Sequence, residues 1–338
     1  RSRPRPLVSV IIGPREETRG IRGGFRIKHA LLKGAFSTGD NFIYYVVKEQ
    51  FQKEAERFLN AVQEELDKNS IYRGKAFTLD REFLEFTSAS LDNVVFTPKT
   101  EALLKAQIWA LIERHESCAA MNVYPQRKVL FCGPFGSGKT LAALLTAKKA
   151  VLNNWTVVYM PPTDKREVRK MEFGLQVVRK YQPAIFIVED IDHEQRIGDP
   201  FVFRQVLSNM DGILSKGTKA IIIMTTNFKG KVAGGLLRPG RIDQIIEFGA
   251  WGREETRQLI QRCIPEGRLA LDMDWDEIHR ACALYPPAFI KEMATSAALQ
   301  AVAAGTNIVT QEMLVEAAEN LRFQYEECEK ALQTGQYL

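Results

Sequence analysis

Eight consecutive residues, Gly133-Pro134-Phe135-Gly136-Ser137-Gly138-Lys139-Thr140, have the types and spacing needed to hold a polyphosphate. Glycines let backbone N–H groups curl round phosphate oxygens with no Cβ in the way. Lys139 would reach the β- and γ-phosphates, and the Thr140 hydroxyl would hold Mg²⁺. Pro134, Phe135, Gly136, Ser137, Gly138 and Leu141 complete the expected contacts to an ATP or ADP molecule. A second set follows downstream: Glu189 and Asp190, directly after Ile185-Phe186-Ile187-Val188. Two acids at the end of an apolar run, in a chain with a phosphate loop, suit Mg²⁺ and an attacking water. Asn227 closes a third apolar run, Ala220-Ile221-Ile222-Ile223-Met224, through Thr225 and Thr226.

The surrounding elements must bring these groups to one place. Val129-Leu130-Phe131-Cys132 precedes the glycine loop and Leu141-Ala142-Ala143-Leu144-Leu145 follows it. Strand, turn and helix in that order are the context the motif requires. The helix would aim its positive end and its unpaired N–H groups at the phosphates. Trp155–Met160, Ala184–Val188 and Ala220–Met224 are continuous apolar runs separated by helical stretches, one of them around Phe201–Met210. Such runs predict a parallel sheet with helices on both faces. Ligands of these sheets sit at the carboxyl ends of the strands, where the loop, the acids and Asn227 all fall.

The chain has 338 residues, 45% hydrophobic and 26% charged, an ordinary globular composition with room for two or three domains. A net charge of +5 permits an acidic partner without demanding nucleic acid. No apolar run approaches the roughly 20 residues of a membrane helix. No signal-like apolar core follows Arg1-Ser2-Arg3-Pro4-Arg5-Pro6. Five cysteines without a CxxC pair suit reduced thiols, so a cytoplasmic location with no membrane association is expected.

Three segments are expected. Residues 1–86 read as a small α+β domain, with strands at 7–12, 25–28 and 41–47, a helix at 49–66 and a short strand within 71–77. It holds no catalytic constellation, and recognition of a protein substrate or adaptor is its expected role. Residues 87–251 form the α/β nucleotide-binding subdomain, entered by a helix from Lys99 to Glu116. Residues 252–338 show helices only, at 254–263, 275–284, 287–304 and 310–332. Ile290, Met293, Ala294, Ala297, Ala298 and Ala301 mark one buried face of this helical lid.

From about Leu91 to Leu332 the chain resembles the AAA+ ATPases, and within them the AAA clade. The phosphate loop is the first matching motif, and Ile185 to Asp192 is similar to the Walker B strand. Ile221 to Asn227 resembles the sensor-1 strand, which implies a polar sensor role for Asn227. Phe203 to Gly212 matches the intervening segment. Gly235-Leu236-Leu237-Arg238-Pro239-Gly240-Arg241-Ile242-Asp243 matches the second region of homology, which implies that Arg238 and Arg241 act as arginine fingers in a neighbouring subunit's site. The resemblance also places Asn93 and Val95 beside the base, where the family usually has an acidic residue and a glycine.

The chain departs from the family pattern at three further places. The family writes the acidic pair Asp-Glu; here it is Glu189-Asp190. In one register Glu189 binds Mg²⁺ and Asp190 orients water, with slowed hydrolysis because Asp is one methylene shorter. In the other, Asp190 binds metal, Ile191 stands at the base position, and hydrolysis is lost. Strand length and Asp192 favour the first. The segment Pro161 to Lys170 is short and charged where unfoldases carry an aromatic pore loop. Tyr285-Pro286-Pro287-Ala288-Phe289-Ile290-Lys291 occupies the sensor-2 position with no arginine, Lys291 being the available cation.

The resemblance implies a Mg²⁺-dependent ATPase working as a homo-oligomeric ring, a hexamer, that remodels or disassembles a protein. Two alternatives stay open. A nucleic-acid-associated AAA+ factor is weakly supported by the basic segment. A nucleotide-binding scaffold with little or no hydrolysis is supported by the inverted acidic pair.

Overall fold

The computed structural model describes residues 8–14, 31–38, 41–48, 52–86, 94–162, 167–191, 218–227 and 242–334. The chain divides into two compact units, Arg1–Ile71 and Tyr72–Leu338. In the first, β1 (Val8–Pro14), β2 (Leu31–Thr38) and β3 (Asn41–Lys48) form an antiparallel sheet in the order β1-β3-β2, followed by α1 (Gln52–Lys68). Antiparallel pairing of β2 with β3 runs from Leu31 with Lys48 to Thr38 with Asn41. The strand expected at 25–28 lies outside the described residues. β2 was not anticipated, because Lys33 and Gly34 interrupt the alternation of its apolar residues.

The second unit is built on a six-stranded sheet in the order β4-β6-β7-β8-β5-β9, and every adjacent pair is parallel. Its strands are β4 (Ala76–Thr78), β5 (Gln126–Cys132), β6 (Thr156–Met160), β7 (Ala184–Val188), β8 (Ala220–Thr226) and β9 (Gln244–Glu247). β4 corrects the boundary expected at residue 86: the strand near 71–77 pairs with β6, not with the amino-terminal sheet. A three-residue strand carries too little pattern to reveal its partner, whereas Phe77, buried against Val158 and Met160, fixes it in space. β9 went unanticipated for the same reason, a four-residue length.

The strands are buried on both sides, as continuous apolar runs require. Their residues alternate between two cores. Leu130, Val158, Phe186 and Ile222 face α6 (Glu167–Lys180), which supplies Met171, Leu175 and Val178. Val129, Phe131, Val157, Ile185 and Ile223 face the opposite layer. That layer contains α2 (Pro98–Leu104), a π-helical segment Lys105–Trp109, α3 (Ala110–Glu113) and α5 (Lys139–Leu152). α2 starts at Thr97, whose hydroxyl accepts from Thr100 N, with Pro98 at the first helical position. The helix expected from Lys99 to Glu116 therefore carries a π-segment and breaks at Arg114, before α4 (His115–Ala120). Trp109 Nε1 donates to Thr146 Oγ1 at 3.0 Å and locks this layer to α5.

The lid is α7 (Arg253–Cys263), α8 (Trp275–Ala281), α9 (Pro287–Ala303) and α10 (Gln311–Thr334). Ile290, Met293, Ala294, Ala297 and Ala301 form the buried face of α9, as the spacing predicts. Ala298 is partly buried beside them. The segment 94–96 joins the subdomains side chain by side chain. Val95 packs into the lid core and Phe96 against the sheet core. The helix expected around Phe201–Met210 lies outside the described residues.

Candidate nucleotide site

Three neighbouring strands, β7-β8-β5, end at one edge of the sheet, and each contributes one group of the site. The glycine loop leaves β5, Glu189 and Asp190 leave β7, and Asn227 leaves β8 between them. Two loop glycines are required by conformation. Gly138 has φ +95 and caps α5, with no side chain bonded to the first-turn N–H groups. Gly136 has φ +72, and a Cβ there would meet Ala288 Cβ at 2.9 Å. Gly136 O accepts from Ala288 N at 3.1 Å, so the start of α9 rests directly on the loop.

Lys139 is buried, and its ammonium turns back into the loop. Nζ donates to Gly133 O and Pro134 O, both at 2.9 Å, to Ser137 Oγ at 3.5 Å and to Asn227 Oδ1 at 2.8 Å. Asn227 Nδ2 donates in turn to Asp190 Oδ1 at 3.1 Å. One amide thus joins the loop lysine to the second acid. Thr140 Oγ1 donates to Glu189 Oε2 at 2.7 Å, and Thr225 Oγ1 donates to the same oxygen at 3.1 Å. Burial pushes the Glu189 carboxyl above the usual carboxylate range. The Thr140 hydrogen bond opposes that rise, the Asp190 charge adds to it, and Thr225 and Lys139 oppose it again. Asp190 has φ +47, a left-handed conformation uncommon outside glycine but several-fold enriched in Asp and Asn. Ile191 is buried in the apolar core behind the strand, away from the cleft.

A cleft of about 570 Å³ runs from the loop to the lid. Phe135, Gly136, Ser137, Gly138, Lys139, Thr140, Leu141, Asp190 and Asn227 line one side, and Val95 also contributes to the lining. Pro134 does not line it and contributes its carbonyl to Lys139 instead. Glu189 sits behind Thr140 rather than in the wall. Asn93, Asp192, Arg238 and Arg241 lie outside the described residues. The lid side is formed by Leu259, Arg262, Cys263, Pro287, Ala288, Lys291 and Thr295. Lys291 therefore faces the same cleft as the phosphate loop. The residues from α7 were not singled out in the sequence. Their i, i+3, i+4 spacing marks a helical face but no chemistry. Arg262 Nη1 donates to Val94 O at 2.6 Å, tying the lid to the 94–96 segment. Thr225 was also missed as a functional residue, since a buried strand threonine has no spacing signal.

The donor set fits Mg²⁺. Thr140 offers a hydroxyl and Glu189 a carboxylate beside it, both hard oxygen ligands. No cluster of three or more His, Cys, Asp or Glu side chains able to hold a metal occurs among the described residues. Mg²⁺ is suited to such a site, since it takes one or two protein oxygens together with phosphates and water. No helix among the described residues is long and apolar enough to cross a membrane.

Residues 129–250 match the model of the ATPase family associated with various cellular activities (AAA). The chain is 27% identical over 249 residues to the cell division cycle protein 48 homolog of Archaeoglobus fulgidus, covering 68% of this chain and 33% of that protein. It is 27% identical over 268 residues to proteasome-activating nucleotidase 2 of Haloferax volcanii, covering 74% and 63%. It is 29% identical over 231 residues to the ATP-dependent zinc metalloprotease FtsH 3 of Sphaerobacter thermophilus, covering 64% and 46%. The chain therefore spans between a third and just under two thirds of these relatives.

Proposed function

We propose that this chain, which carries a domain of the AAA ATPase family, hydrolyses ATP to ADP and phosphate with Mg²⁺. The observation that carries this proposal is two hydrogen-bonded sets converging at one cleft: Thr140 with Glu189, and Lys139 through Asn227 to Asp190. On nucleotide binding, Lys139 exchanges its loop carbonyls for the β- and γ-phosphates, and the loop amides and the start of α5 take the remaining phosphate oxygens. Thr140 and Glu189 would hold Mg²⁺, which would supply neutralisation of the β- and γ-phosphate charge. Asp190, oriented by Asn227, positions a water for in-line attack on the γ-phosphorus and accepts its hydrogen bond. Asn227 touches both Lys139 and Asp190, so loss of the γ-phosphate is felt at the water-orienting acid. Slower turnover is expected than with a glutamate at Asp190, because the carboxylate stands one methylene further back.

The site is completed by a second subunit. In this proposal Arg238 and Arg241 of one protomer reach the γ-phosphate bound by its neighbour in a ring, a hexamer. The second-region motif supports that assignment, and such arginines contribute about 10³–10⁵ in turnover in phosphoryl transfer generally. The work done is remodelling of a protein, with residues 1–71 and any adaptor choosing the substrate. The names of two similar proteins, a proteasome-activating nucleotidase and an ATP-dependent protease, support a protein rather than a nucleic-acid substrate.

The test is ATP turnover against protein concentration for wild type and Arg241→Ala. A steep rise with concentration that vanishes in the variant, with ATP binding retained, is the expected result. Bound ATP with no turnover at any concentration would refute hydrolysis. Turnover unchanged in the variant would refute the shared site.

A further inference from the structure

We propose that Thr225 is the positioning residue that makes the inverted acidic pair usable. It sits beside Glu189 because β7 and β8 run parallel, with Val188 paired to Met224 and the next step bringing 189 level with 225. Its side chain is wholly buried, so the hydroxyl is there for a polar purpose or at a cost. A hydroxyl has one proton to give and lone pairs to accept with. Thr225 Oγ1 gives its proton to Glu189 Oε2 at 3.1 Å and accepts from Asp190 N at 2.8 Å. Its carbonyl accepts from Ile191 N at 2.9 Å. One residue therefore fixes the metal-side carboxylate, the backbone of the water-side acid and the residue after it.

The inverted order makes this necessary. The first acid is held from three sides, by Thr140, by Thr225 and through its own N–H on Met160 O. The second must turn out of the strand at once, and it does so at φ +47. That conformation is uncommon for a non-glycine residue, and a local hydrogen bond helps to hold it. The Thr225 hydroxyl supplies it. Without the hydroxyl, Asp190 N–H loses the Thr225 oxygen and Glu189 loses the Thr225 donor, while Asn227 still holds the Asp190 carboxylate. The backbone of the short acid would then be held less firmly in its turn toward the cleft. Thr225 is buried and does not line the cleft, so it acts through Glu189 and Asp190.

The inference rests on Mg²⁺-dependent hydrolysis, and its test separates the two. Thr225→Val keeps the volume and removes the hydroxyl; Thr225→Ser keeps the hydroxyl and removes the methyl. Binding of a fluorescent ATP analogue is measured without Mg²⁺ and across a Mg²⁺ titration, alongside kcat and KM. The expected result for Thr225→Val is Mg²⁺-free binding within about twofold of wild type, a raised Mg²⁺ requirement and kcat lowered roughly ten- to hundredfold, the scale of a lost bond to a charged group. Thr225→Ser should return to within a few-fold. Valine with wild-type Mg²⁺ dependence, or serine as impaired as valine, would overturn the positioning role. If wild type itself binds ATP without hydrolysing it, the hydrolysis proposal fails, and the Mg²⁺ titration alone still decides for or against Thr225.

Discussion

Gly136→Ala tests whether the phosphate loop and the lid are mechanically one site. Gly136 has φ +72, and holding an L-residue there costs about 1–2 kcal/mol. The new methyl would stand 2.9 Å from Ala288 Cβ, well inside the ~3.5–4.0 Å optimum for carbon atoms. Overpacking of this kind costs about 1–3 kcal/mol unless something moves. Ala288 is exposed and begins the lid's α9, so the lid can swing away from the loop and relieve the clash. The two costs then separate. Unfolding free energy should fall by the backbone part, about 1–2 kcal/mol. Closing the lid on nucleotide must restore the clash, so ATP affinity should fall roughly five- to hundredfold. Adding Ala288→Gly removes the opposing methyl. In a double-mutant cycle it should recover most of the lost affinity and none of the lost stability. The assays are urea unfolding and titration with a fluorescent ATP analogue. Affinity that stays low in the double variant would refute the reasoning, because the loss would then come from a distorted cradle and not from the lid.

Two further predictions concern the amide between the loop lysine and the second acid, and the core of the lid. Asn227→Ala removes the donor to Asp190 but leaves Lys139 three other acceptors, so KM for ATP should move less than about threefold while kcat falls roughly ten- to hundredfold; steady-state kinetics check the split. Burial pushes the Cys282 thiol from 9.0 up to about 12. The folded state then holds the proton more tightly than the unfolded one, so stability is lost as pH climbs from 9.0 towards 12, at up to about 1.4 kcal/mol per pH unit. Urea unfolding at pH 8 and pH 10.5 should show a larger alkaline loss for wild type than for Cys282→Ala; equal losses would refute the assignment.

The phosphate loop was legible because its chemistry is local. Gly133 to Thr140 are contiguous, and the positive φ values of Gly136 and Gly138 are ones that glycine readily adopts. The sheet was legible where strands are five or more residues long and buried on both faces, as in β5 to β8. β4 and β9, at three and four residues, fell below what a pattern can register. Their places were decided by pairing with strands 81 and 115 residues away, Ala76 with Val157 and Gln244 with Val129.

The sequence by itself singled out the groups to which the proposed chemistry is assigned: Lys139, Thr140, the Glu189-Asp190 pair and Asn227. It left two registers open for the acids. Only the tertiary structure brings Thr140 to Glu189, sets Asp190 at the cleft through Thr225 and Asn227, and buries Ile191 in the core. On the lid side of the cleft the sequence marked Lys291 and its segment, whereas Leu259, Arg262 and Cys263 line it only because α7 carries them there. A motif records chemistry that neighbours in the chain perform together. A contact between strands, or between a loop and a lid, depends on packing over many residues, and no short pattern encodes it.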